Sequence, residues 1–211
     1  IAAAGSQNDI PVGKGLAFTT DATVDTTPDS DIYWNYLDQP IDPEISTLPP
    51  FAGAYFAALP ITVKQANVTY DIAFSEEYMW IASWAGGLRR HNLSEHSWER
   101  VPLPMDDQFE LITCDEFDSN GDSTYAKEKN EFHENRVLYL RDYELNPRDP
   151  IDGGNHNHKT FSVLTYGDTI WVGTANGINR GIFGSGNCVD WEHYSYPTHG
   201  LSGNFVVGLA M

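Results

Sequence analysis

Cations are scarce in this sequence. Twelve Lys and Arg stand against 30 Asp and Glu over 211 residues, a formal net charge of −18. Gripping a phosphate backbone or an anionic lipid surface needs a cationic footprint, so nucleic acid and direct membrane contact are excluded as partners. The acidic excess itself implies solubility, or else affinity for cations such as calcium. Long apolar runs are also missing: none approaches the roughly 20 residues that cross a bilayer. Cysteine is confined to Cys114 and Cys188, which leaves no Cys-x-x-Cys pair. There is no Gly-x-Ser-x-Gly elbow and no phosphate-cradling glycine loop, so nucleophilic and nucleotide chemistry find no support. No stretch carries a 3.6-residue apolar period.

What is present favours short strands and turns: 18 Gly, 12 Pro and 13% aromatic residues, with an apolar content of 41% that is ordinary for a folded chain. The chain is organised around two matching stretches. One is Trp171-Val172-Gly173-Thr174-Ala175-Asn176-Gly177-Ile178-Asn179-Arg180. The other is Trp80-Ile81-Ala82-Ser83-Trp84-Ala85-Gly86-Gly87-Leu88-Arg89. Each is an apolar β run, a turn containing glycine, and a second run carrying a basic residue. With one extra residue in the first turn, Trp80 matches Trp171, Ser83 matches Thr174, and Leu88-Arg89-Arg90 falls over Ile178-Asn179-Arg180. Each unit then closes on another tryptophan strand, at Trp98 and at Trp191. A repeat with this internal order predicts one sheet of a radial array.

Around these two units the chain divides into six segments. Residues 1–40 predict the later strands of a first unit, at 1–4, 15–20 and 33–37, with polar turn residues between them. Residues 41–66, broken by Pro43, Pro49, Pro50 and Pro60, form a connection. Residues 67–104 give a complete unit with strands at 68–74, 78–84, 88–93 and 98–103, each marked by period-2 alternation. Residues 105–160 are an acidic insertion, expected to carry a small hairpin with a strand at 136–140, because a structureless loop of that length is uncommon. Residues 161–198 form another complete unit, with strands at 161–166, 169–175, 178–183 and 191–196. Residues 199–211 open a further one, with a strand from 204. Ile1-Ala2-Ala3-Ala4 overlays Ile81-Ala82-Ser83-Trp84, so the chain reads as a window cut from a longer protein whose remainder is expected. Such a cut would expose two unit faces and favour instability or self-association.

The run Asp168-Thr169-Ile170-Trp171-Val172-Gly173-Thr174, then Gly177-Ile178-Asn179-Arg180, then Trp191, then Gly200-Leu201-Ser202-Gly203-Asn204 resembles the two-component-regulator type of β-propeller repeat. The resemblance is strongest over 161–211, good over 67–104 and thin over 1–40; segments 41–66 and 105–160 depart from it. Such repeats occur in sensor regions of bacterial hybrid histidine kinases and in exported bacterial surface proteins. The resemblance implies a periplasmic, cell-surface or secreted location. It also implies that Trp34, Trp80, Trp98, Trp171 and Trp191 pack between sheets, while Gly173 and Gly177 serve the backbone. It transfers no catalytic residue.

Three groups of residues could carry chemistry. Asp118, Asn120 and Asp122 flank Gly121 in a calcium-loop pattern. If Gly121 is the sixth position, the first is Glu116 and the twelfth is Lys127, where a bidentate Glu is required, so the EF-hand match fails and a solvated acidic turn is the simpler reading. His156 and His158, two apart, would share one side of a strand and could meet at a transition metal, or serve as hydrogen-bonding loop residues. Cys114 and Cys188 could bridge the insertion to the later unit in an exported protein, or lie free and buried in a cytosolic one. Thirty acidic residues offer many glycosidase-like pairs and nominate none. Arg89, Arg90 and Arg180, on the third strand of each unit, are expected in sheet-edge or inter-unit ion pairs.

The expectation is therefore an all-β chain: a β-propeller fragment of two complete four-stranded blades flanked by partial first and last blades. Its expected role is non-catalytic sensing or binding of a small molecule, glycan or protein, without a cofactor other than the calcium candidate. The alternatives are a glycoside hydrolase or lyase on the same fold, and a structural surface or adhesion repeat.

Overall fold

A computed structural model of the chain describes residues 2–7, 10–19, 34–38, 46–47, 57–58, 68–84, 86–114 and 155–211. The regular structure among them is antiparallel β-sheet, apart from two single 3-10 turns, His156–His158 and Ser185–Asn187. Strands β1 (Ala2–Gln7), β2 (Ile10–Phe18) and β3 (Asn35–Leu37) form a three-stranded meander. β4 (Ser46–Thr47) pairs with β5 (Ala57–Ala58). The first full sheet runs β6 (Thr69–Phe74), β7 (Tyr78–Ser83), β8 (Gly87–Asn92) and β9 (Trp98–Val101), each strand beside the next. Two-residue β10 (Glu110–Leu111) follows. The second full sheet then comprises β11 (Thr160–Tyr166), β12 (Thr169–Thr174), β13 (Gly177–Phe183) and β14 (Val189–Tyr194). β10 returns to pair with β14, giving the order β10-β14-β13-β12-β11.

The similarity of the two sequence units extends to hydrogen-bond register. Trp80 lies opposite Arg90 and Trp171 opposite Arg180. Arg90 lies opposite Glu99, and Arg180 opposite Glu192. Ser83 meets Gly87, as Thr174 meets Gly177. Even the irregularity on the first strand recurs, between Thr69 and Asp71 in one sheet and between Thr160 and Ser162 in the other. Gly87 and Gly177 both take positive φ, +69° and +118°, as their chains leave the turn. At Gly177 a β-carbon would also run into the Tyr194 carbonyl, so two independent constraints demand glycine there. Gly173 has a different task. It sits within β12, where a side chain would strike Ser162 and the Val206 backbone.

Strand β11 lies against β6 and β7, and the core fills the space between the two sheets. Trp80, Ala82, Leu88 and Val101 from the first meet Val163, Ile170, Val172 and Trp191 from the second, with Leu103 and Leu111 from the connection. The junction is also hydrogen-bonded. Ser83 N–H donates to Thr160 Oγ1 (2.8 Å), that hydroxyl donates to Ser83 O (3.0 Å), and Val163 N–H donates to Asp71 Oδ2 (3.0 Å).

Four expectations change. The second sheet has five strands, because Leu111 settles opposite Trp191 and Thr113 and Cys114 N–H both donate to Asp190 Oδ1. Residues 204–211 form no strand; Val206 N–H makes one bond to Thr174 O (3.0 Å) and no ladder continues from it. Burial of the tryptophans is uneven. Trp80 and Trp191 are buried, Trp98 and Trp171 half-buried, and Trp34 exposed beside the three-residue edge strand β3. Finally, β1 and β2 run further toward each other than 1–4 and 15–20. The strand expected at 136–140 lies outside the described residues.

Candidate functional site

The turns of the two sheets fall at two ends, and the described chemistry differs between them. At one end the β6–β7 turn, the β11–β12 turn and the β13–β14 connection surround an inter-sheet cleft of about 550 Å³. Its floor is aromatic. Trp80 of β7 stacks on Phe183 of β13 with centroids 5.5 Å apart and planes 22° from parallel. Arg90 of β8 crosses beside them, its guanidinium 4.3 Å from the Tyr78 ring and 5.6 Å from the Trp80 ring. Arg90 Nε donates to Glu99 Oε2 at 2.5 Å, and Nη1 donates to Asn187 O at 2.6 Å, so one buried cation is matched within its own sheet and tied to the other. Stacking on rings and forked donation are what guanidinium offers and an ammonium does not.

Phe74 and Tyr166, both more than half exposed, stand at the mouth of the cleft together with Glu76 and Glu77. Two hydroxyls of the lining are committed internally. Ser75 Oγ accepts from Trp80 Nε1 (2.9 Å) and Thr165 Oγ1 donates to Phe74 O (2.5 Å). The far wall is stapled: Cys188 lines the cleft and forms a disulfide with Cys114, with Cα atoms 5.1 Å apart. The bridge spans 74 residues of sequence, a loop whose closure entropy corresponds to about 4 kcal/mol in the chain-entropy model. Thr113 Oγ1 donates to Val189 O (2.6 Å) just beside it.

The opposite end is a polar lock. Asn157, fully buried, exchanges amide hydrogen bonds with Asn179 (2.8 and 2.9 Å) and accepts from Thr174 Oγ1 (2.8 Å). It also donates from its amide to Pro104 O and from its backbone to Asp106 Oδ1, both at 2.7 Å. The ring nitrogens of His193 lie 2.8 Å from Gln108 O and 2.8 Å from Asn176 O. These contacts clamp the described parts of the connection, 102–111 and 155–159, onto the second sheet.

His156 and His158 belong to this lock and share no metal geometry. They occupy a 3-10 turn, with His156 exposed 3.7 Å from Asp106 and His158 buried with Nε2 2.7 Å from Leu103 O. The same-side argument required a strand there. Among the described residues no three His, Cys, Asp or Glu gather as a metal set. Asp118, Asn120 and Asp122 lie outside the described residues. Arg180 meets Glu192 at 3.2 Å on the surface, while its counterpart Arg90 is the buried inter-sheet tie.

Among the described residues two titrations are displaced. Burial, and next the neighbouring His96, push the His91 imidazole below its ordinary value; its ring packs 4.7 Å from that of Trp98. The Tyr194 hydroxyl donates to Glu192 at 2.6 Å, and that bond, with burial second, raises it above the ordinary phenol value.

Of the residues of the cleft, sequence reasoning named Trp80, Arg90 and Cys188, each for a structural role, and none of those at its mouth. The signal available was asymmetry within the repeat: Ser75-Glu76-Glu77 in one unit stands where Tyr166-Gly167-Asp168 stands in the other. No protein-family model, curated protein or solved structure matches the chain.

Proposed function

We propose that this chain is part of a β-propeller of the two-component-regulator type and acts as a non-catalytic binding module of an exported bacterial protein. Successive sheets in identical register support the radial reading. So does a row of rings: Tyr70 and Phe161, at equivalent positions in the two sheets, are in contact at 5.6 Å, and Phe161 contacts Phe205 at 6.2 Å. A disulfide is compatible with an oxidising compartment. The observation that carries the binding role is the inter-sheet cleft, a concave site of ordinary ligand size with rings on a rigid floor and a few polar groups at its mouth.

Screening a panel of glycans and small molecules by intrinsic tryptophan fluorescence tests this reading. The expected result is saturable binding that Tyr166→Ala removes while leaving the fold intact, since Tyr166 is exposed. Product release from a polysaccharide, abolished by replacing one carboxylate, would instead establish the hydrolase or lyase alternative.

A further inference from the structure

Resting on that binding role, we infer that the cleft is selective for an organic cation, a quaternary or methylated ammonium group carried on a small molecule. Charge decides between ligand classes here. Among the residues lining the cleft, Arg90 is the one cation, and its guanidinium already faces Glu99 and Asn187 O. An anionic ligand would find that charge matched. The Ser75 and Thr165 hydroxyls are spent on Trp80 and Phe74 O, so a neutral sugar would find few of the paired donors and acceptors it needs. What remains free at the mouth is mainly acceptor and negative. The Glu76 and Glu77 carboxylates are exposed and meet no hydrogen-bond or ion-pair partner among the described residues. Alongside them stand the exposed faces of Phe74 and Tyr166. Rings whose faces carry negative quadrupole, beside unmatched carboxylates, attract a weakly hydrated cation. The chain's overall charge of −18 adds a long-range field of the same sign.

The test titrates the 211-residue chain with tetramethylammonium, choline and 3,3-dimethyl-1-butanol, the uncharged isostere of choline, together with a panel of neutral sugars. The readout is the indole N–H resonance of Trp80, which donates to Ser75 at the cleft floor. The inference predicts that both cations shift this resonance and that the isostere binds about tenfold more weakly, the range of a cation–ring attraction. The double variant Glu76→Gln, Glu77→Gln should weaken the cations several-fold, added salt should do the same, and Tyr166→Ala should weaken both kinds of probe. Equal binding of choline and its isostere, or Tyr166-dependent binding of a sugar with none of the cations, overturns the cation assignment and leaves the cleft as a binding site. If no probe moves Trp80, or if every shift survives Tyr166→Ala, the cation assignment and the binding role fall together.

Discussion

Arg90 and Arg180 occupy the same register position in successive sheets, each opposite a glutamate on the outer strand. Arg90 is buried, lies over two rings and reaches the neighbouring sheet. Arg180 is half-buried, 3.2 Å from Glu192. The contrast recurs elsewhere. Trp80 is sealed beneath Phe183, while its counterpart Trp171 is half-buried with Arg180 lying 6.0 Å from its ring. At the other end of the strands the buried pair Arg89 and Arg100 corresponds to Asn179 and His193. Register is thus inherited from the repeat. The work of each side chain is set by what covers it: the second sheet covers one side of the first, and the connection covers the outer edge of the second.

This comparison can be broken by paired substitutions. The largest expected difference is at the tryptophans. Trp80→Ala should cost about 3–5 kcal/mol by emptying the inter-sheet core, whereas Trp171→Ala should cost about 1 kcal/mol, as read from denaturant midpoints. Equal losses would mean that the two positions are equivalent in energy as well as register. Next come the glutamates. Glu99→Gln leaves a buried guanidinium short of its counter-charge; with Glu99 itself partly exposed, the expected loss is about 2 kcal/mol. Glu192→Gln, on an exposed pair, should stay within about 0.5 kcal/mol and lose that small effect in high salt.

The smallest difference is in acid. His91 of β8 corresponds to Gly181 of β13, so only the first sheet carries this titration. Because the folded-state imidazole value is depressed, its contribution to stability is present above the ordinary value of 6.5 and is lost as pH falls through the lower folded value. His91→Gln should flatten this part of the stability–pH curve. An unchanged slope below pH 6.5 would remove His91 as its source.

The strands at 68–103 and 161–196 were legible because alternation and turn glycines are local signals, and their observed bounds agree within a few residues. Pairings made across long stretches of sequence were not. β10 has two residues and no periodicity of its own; it exists because Leu111 finds Trp191 and Thr113 finds Val189. That same cover explains why Trp191 is buried while its counterpart Trp98, on an outer strand, is half-buried. His156 and His158 follow the hydrogen-bonding loop reading and not the metal one, because spacing predicts a shared side only on a strand and Asn155 to Lys159 turns instead. The cleft was invisible for a related reason. Its floor joins residue 80 to residue 183, and its mouth is built where the two units differ, whereas the repeat was recognised from what they share.

The central claim is that the two sheets pack face to face and that this junction forms the cleft. Nuclear Overhauser contacts between the Trp80 indole and the Phe183 ring test it most directly. The account predicts strong cross-peaks, since the ring centroids are 5.5 Å apart. A Trp80 indole showing contacts only within β6–β9, with none to Phe183, would contradict it.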